Sequence, residues 1–128
     1  MKRQQIVDVF TKYGKTIFEL WFSGVEGEGE FKPWYNNGQL WQHGFFKNGN
    51  PHSEYKKWHS NGQLEVHSFY KNGKTHGEYK SWNSNGQLYV YCSFKDGKFH
   101  GEYKRWDDNG QLEIHHLLKD GKWVKDLE

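Results

Sequence analysis

The chain has 128 residues, with 18 basic against 16 acidic side chains, a net charge of +2 and an aromatic share of 19%. One domain's length and this balance of charge exclude a duplex nucleic-acid binder, which concentrates basic residues on one face. No stretch approaches the roughly 20 apolar residues of a membrane-spanning helix, and the lone Cys92 excludes an internal disulfide and fits a reducing, cytoplasmic compartment.

The N-terminal "MKRQQIVDVF" is basic and lacks the apolar run of a signal peptide. Residues 1–25 form a degenerate first period. Phe10 and Gly14 keep positions that recur later, but Val25 stands where Gly is expected. Residues 26–121 hold four repeats of 24 residues. Trp34, Trp58, Trp82 and Trp106 are one position, and Gly38, Gly62, Gly86 and Gly110 another. Residues 122–128 end in "KDLE", which aligns with the "GEYK" of earlier repeats and makes a terminal half-strand. The whole of 1–128 reads as one repeat domain whose units cover one another's apolar surface.

Each repeat carries two turn signals. "KNGK" at 71–74, and "KDGK" at 95–98 and 119–122, have the Asn-Gly or Asp-Gly centre of a type I′ hairpin. "NSNG" at 83–86 supplies one left-handed glycine to a longer loop, taken as four residues. The segments between turns are too short for stable helices and alternate apolar with polar, as "QLEVHSFY" does at 63–70. The expected fold is all-β: an elongated, single-layer antiparallel meander of repeated hairpins, with about ten or eleven strands.

Those loop lengths set a register in which Val66 faces Tyr79, Trp82 faces Gln87 and Tyr79 faces Val90. Side chains then sort onto two faces. The apolar face carries Tyr55, Val66, Tyr79, Val90, Tyr103 and Ile114 in one row, with Phe31, Gln42 and Leu127 at its ends. Beside it run a small-residue row through Ser68, Gly77 and Cys92, and a leucine row of Leu40, Leu64, Leu88 and Leu112. The other face carries the tryptophans alternating with Gln39, Gln63, Gln87 and Gln111. It also carries a row through Lys56, Glu65, Lys80, Tyr89, Lys104 and Glu113, and a row of Glu30, Glu54, Glu78, Glu102 and Asp126 interleaved with His43, His67, Tyr91 and His115. A bulge near Trp82 would transfer the Trp row to the apolar face.

The pattern "F-K-x-G-K-x-H-G-E-Y-K-x-W-x-x-N-G-Q-L" resembles MORN repeats, in the variant type with "G-E-Y" and "N-G-x-L". The standard type has Gly-x-Gly where this chain has Gly77-Glu78-Tyr79. The resemblance implies an elongated single-layer sheet and no catalytic residues. Similar proteins occur in bacteria, some labelled antitoxin components, and in giant viruses of amoebae. The wider family is described as scaffolds, dimerisation modules and phospholipid binders.

Three surfaces are candidates for function. The row of Trp34, Trp58, Trp82 and Trp106 is a candidate binding surface, since Trp stacks well on ligands and partners. The plainer account is that the rings shield a thin sheet. A line of turn lysines that includes Lys71, Lys74, Lys95 and Lys98 is a candidate dock for anionic lipid or an acidic partner, although turn lysines also serve solubility. His67 is expected between Glu54 and Glu78, and His43 between Glu30 and Glu54, with metal-ligand chemistry. The two histidines lie two strands apart, roughly 9–10 Å, so they cannot share an ion. A ladder of hydrogen bonds is the expectation, with no metal and no cofactor.

An apolar face left without a second layer needs a partner. The expected function is a non-enzymatic interaction or scaffolding module that self-associates, as a homodimer, through Tyr55, Val66, Tyr79, Val90, Tyr103 and Ile114. The alternatives are a peripheral binder of anionic phospholipid and an antitoxin-like binder of a toxin protein. The expected location is the cytoplasm, or the host cytoplasm or virion if the chain is viral.

Overall fold

A computed structural model describes residues 27–127, so the expectations for the first period, including Phe10, Gly14 and Val25, lie outside the described residues. The strands are β1 (Glu28–Phe31), β2 (Gln42–Lys47), β3 (Asn50–Pro51), β4 (Ser53–Trp58), β5 (Leu64–Lys71), β6 (Lys74–Thr75), β7 (Gly77–Trp82), β8 (Leu88–Lys95), β9 (Lys98–Trp106), β10 (Leu112–Lys119) and β11 (Lys122–Asp126). They form one antiparallel sheet of 11 strands in the order β1-β2-β4-β5-β7-β8-β9-β10-β11, with β3 on β2 and β6 on β5. The all-β meander of hairpins stands as the sequence indicates.

The Asn-Gly and Asp-Gly turns are two-residue loops with positive φ at both positions: Asn72 at 52° and Gly73 at 81°, Asp96 at 52° and Gly97 at 81°. Lys71 lies opposite Lys74, as expected. The expected register fails two residues further on. Val66 lies opposite Ser81, not Tyr79. Thr75, His76 and Gly77 hold two more residues than the facing strand needs. Gly77 takes φ 95° and Gly101 φ 99° at the equivalent place, with Ser53 at 69° one repeat earlier. The left-handed backbone lets the strand absorb the extra length as a bulge.

The other loop is one residue shorter than expected. In the third repeat Asn83 N–H donates to Gln87 O at 2.8 Å and Gly86 N–H to Asn83 O at 2.9 Å. This is a three-residue loop, a type I turn ending in a left-handed glycine. Trp82 therefore pairs with Leu88 rather than Gln87, and Tyr79 with Cys92 rather than Val90. The strand slips once between Ser81 and Trp82, leaving Tyr89 as the extra residue.

That bulge corrects the sorting of side chains. The extra residue falls on the strand after the loop, so the tryptophans keep their face and the leucines change theirs. Leu40, Leu64, Leu88 and Leu112 pair with Trp34, Trp58, Trp82 and Trp106 on what is here called face two. Glu65, Tyr89 and Glu113 move the opposite way, to the apolar face, face one. Glu65 meets Lys57 at 3.7 Å and Glu113 meets Arg105 at 2.6 Å, on the face of Tyr55 and Tyr103. The glutamines do not face the tryptophans. Gln39, Gln63 and Gln87 each lean on the next turn: a Cβ on Gly62 would meet Gln39 Oε1 at 3.2 Å, one on Gly86 would meet Gln63 Oε1 at 3.5 Å, and one on Gly110 would meet Gln87 Oε1 at 3.1 Å.

Face one holds the core. The slipped register sets large rings opposite small residues: Phe31 faces Gly44, Tyr55 faces Ser68 and Tyr79 faces Cys92. Phe31, Tyr55, Val90 and Cys92 are buried, and so are Gln42 and Ser68. The small residues thus let neighbouring rings close over part of the sheet within one chain.

Candidate functional site

The six residues expected on the apolar face do share face one, but in two rows rather than one. Tyr55, Tyr79 and Tyr103 run with Ser68 and Cys92, while Val66, Val90 and Ile114 run with Lys57, Ser81 and Arg105. Tyr55 O–H donates to Gln42 Oε1 at 2.5 Å beneath this surface. The rings of Tyr79 and Phe94 meet edge-on at 5.8 Å, and Phe94 stacks on Phe99 at 4.8 Å. Burial raises the phenol pKa of Tyr79 and of Tyr103. These phenols are thus uncharged at neutral pH, and Val66, Tyr79, Tyr103 and Ile114 are half-buried.

The border of that strip was not foreseen. It carries the ion pairs Lys57–Glu65 and Arg105–Glu113, and between them the repeat is broken: Ser81 and Tyr89 stand where the repeats on either side have a cation and a carboxylate. The signal was present in the aligned repeats, but it needed the bulge to bring the two positions together. Tyr35 and His59 were also missed. Tyr35 O–H donates to Trp58 O at 2.7 Å, and His59 Nε2 lies 2.9 Å from Trp82 O, so each ties one repeat to the next.

Cys92 is 1% exposed, and burial pushes its thiol up to about 12. A thiol held protonated and covered is packing, not a nucleophile.

Face two carries the four candidate tryptophans, each paired with its leucine at the mouth of a hairpin. Trp34 is 56% exposed, while Trp58, Trp82 and Trp106 are half-buried. Next to them stands the ladder. His43 Nε2 lies 2.9 Å from Glu30, His67 Nε2 2.8 Å from Glu54 and His115 Nε2 3.2 Å from Glu102. The expected site between two carboxylates does not form at His67, because Glu78 instead accepts a bond from Tyr91 O–H at 2.8 Å. Asp126 also leaves the ladder. β11 slips by one residue against β10, not two, which sets Asp126 beside His116 on face one. Among the described residues no three His, Cys, Asp or Glu side chains come together as metal ligands.

The ladder makes a pH prediction. The hydrogen bond from His67 lowers the pKa of Glu54, and that from His115 lowers the pKa of Glu102. A carboxylate with a depressed folded pKa adds stability above its unfolded value, near 4.5, and loses it as pH falls through the folded value. The melting midpoint should therefore drop below about pH 4.5, and Glu54→Gln with Glu102→Gln should flatten part of that drop. An unchanged acid limb in the double variant contradicts the ladder's role. Both carboxylates are largely exposed, so the effect is small.

The lysines stand along one long edge. Lys71–Lys74, Lys95–Lys98 and Lys119–Lys122 are directly opposed pairs across their turns, and all six side chains are exposed. The opposite edge is an amide ladder: Asn37 Nδ2–H donates to Ser60 O at 3.0 Å and Asn61 Nδ2–H to Ser84 O at 2.8 Å.

Among the described residues no helix is long and apolar enough to cross a membrane. No curated protein and no solved structure matches the chain. The model of the MORN repeat variant family matches residues 27–48, 51–72, 75–96 and 99–122, four consecutive segments covering well over half of the sequence. These segments coincide with the hairpin pairs of the sheet, and the chain belongs to the MORN repeat variant family.

Proposed function

We propose that the chain is a non-enzymatic interaction module that pairs with a second copy of itself through face one. One observation carries the reading. The described residues form a single sheet, and its apolar face is only partly covered from within: Tyr55 and Val90 are buried, while Val66, Tyr79, Tyr103 and Ile114 stay half-buried beside them. A second sheet at about 10 Å would remove the remainder from water. Full burial of such side chains is worth about 1.5–3 kcal/mol each relative to exposure, before the costs of association. The charges at the border do not oppose docking, because Lys57–Glu65 and Arg105–Glu113 are paired within the chain. The tryptophans of face two and the lysine edge are then outward surfaces.

Ser81 gives a test that spares the fold. Its sister positions are Lys57 and Arg105, so the sheet already accepts a long cation there. Ser81→Lys should leave the melting midpoint of the dilute protein unchanged. It should raise the dimer dissociation constant about tenfold, measured by sedimentation equilibrium, by placing an unmatched charge in the covered face. A dissociation constant equal to that of the parent chain would contradict the assignment of face one.

A further inference from the structure

The geometry points to a second docking surface, the lysine edge, and to its occupant: an extended acidic protein segment with one carboxylate at about every third residue. The edge is held, not loose. Gly97 N–H donates to Thr75 O and Gly121 N–H to Phe99 O, each at 2.9 Å, so every turn is tied to the hairpin before it. The side chain of Lys74 runs along the next turn, where a Cβ on Gly97 would meet it at 3.7 Å, and Lys98 lies against Gly121 at 3.8 Å. The turns, and the lysine pairs that flank them, therefore follow a line.

That line is poorly neutralised. Like charges directly opposite on adjacent strands repel, and the chain sets up three such pairs in succession. None of the six lysines makes an ion pair among the described residues, whereas Lys47, Lys56, Lys57 and Lys104 all do. Among the described residues, negative charge at this edge comes from Asp96 and Asp120 in the turns and from Glu28 near Lys47. A bound anion relieves repulsion that the free protein carries.

Spacing selects the occupant. Successive turns lie two strands apart, about 9.5 Å. A polyproline-type segment advances about 9.3 Å in three residues, so a carboxylate at every third residue meets each lysine pair in turn. An anionic membrane has no such period and rewards a broad basic patch, while this is a strip one hairpin turn wide.

The probe is a synthetic peptide of about five Glu-Pro-Pro triplets, compared with a peptide of the same composition whose glutamates are consecutive. Titration at low salt should show the triplet peptide binding several-fold more tightly than the clustered one, and binding should weaken as salt rises. Lys71→Gln, Lys74→Gln, Lys95→Gln and Lys98→Gln together should cost it about tenfold or more without lowering the melting midpoint. Equal binding of the two peptides would overturn the proposal by showing a diffuse charge effect. Lysine-dependent binding to vesicles containing phosphatidylserine, with neither peptide bound, would overturn it in favour of a lipid surface. Both readouts are independent of face one, since the four lysines lie outside it.

Discussion

Phe31→Ala should cost about 3–5 kcal/mol of folding stability, read from the denaturant midpoint. Phe31 is 1% exposed and lies opposite Gly44, which has no side chain to fill the space the ring leaves. β1 has only four residues, so the ring is the main apolar hold that this strand has on β2. For a domain with a total stability of about 5–15 kcal/mol, the loss is a large fraction. Trp34→Ala supplies the contrast. That ring is larger but 56% exposed, and its removal should cost no more than about 1 kcal/mol. Equal losses at the two sites would contradict the placing of Phe31 in the core and Trp34 outside it.

Tyr55→Phe is expected to destabilise by about 1–3 kcal/mol although it removes one oxygen. The cost arises at its partner. Gln42 is 4% exposed, and the Tyr55 hydroxyl donates to its side-chain oxygen. Deleting the donor leaves that buried acceptor without the bond. The next repeat shows the remedy, since Val66 stands at the position of Gln42 and is followed by its own Tyr79. Tyr55→Phe combined with Gln42→Val should therefore recover most of the loss. A thermodynamic cycle in which the two changes simply add would contradict a coupled pair.

Most of the fold was legible because repetition makes each signal count several times. Asn72-Gly73, Asp96-Gly97 and Asp120-Gly121 each force the same tight turn, and the strands follow from what lies between. The register was less legible. Gly77 reads as one more member of a small-residue row, but Gly77 and Gly101 take positive φ, which absorbs two extra residues. Ser53 hides the signal further, because it takes φ 69° without being glycine. The loop at Ser84–Gly86 was misjudged by one residue for a similar reason: a three-residue turn with a left-handed glycine and a four-residue loop present the same "NSNG" letters.

Those two slips decide the candidate site. A shift of two keeps every side chain on its face, so Tyr55, Val66, Tyr79, Val90, Tyr103 and Ile114 share one face although their neighbours differ from those the loop lengths suggest. A shift of one changes the face, and that is why the leucines and Glu65, Tyr89 and Glu113 exchanged sides. The His–Glu partners were half legible. Alternation places both residue types on face two, but only the register says that His67 takes Glu54 and leaves Glu78 to Tyr91. The break at Ser81 and Tyr89 could be read from the aligned repeats, yet its position on the border of face one depends on the bulge.

A second copy of the chain over face one sets the solution mass, read by light scattering over a tenfold range of concentration beginning in the micromolar range. The expected mass is twice the 15.4 kDa of one chain at the upper end, falling toward 15.4 kDa on dilution. A constant mass of one chain throughout would contradict it.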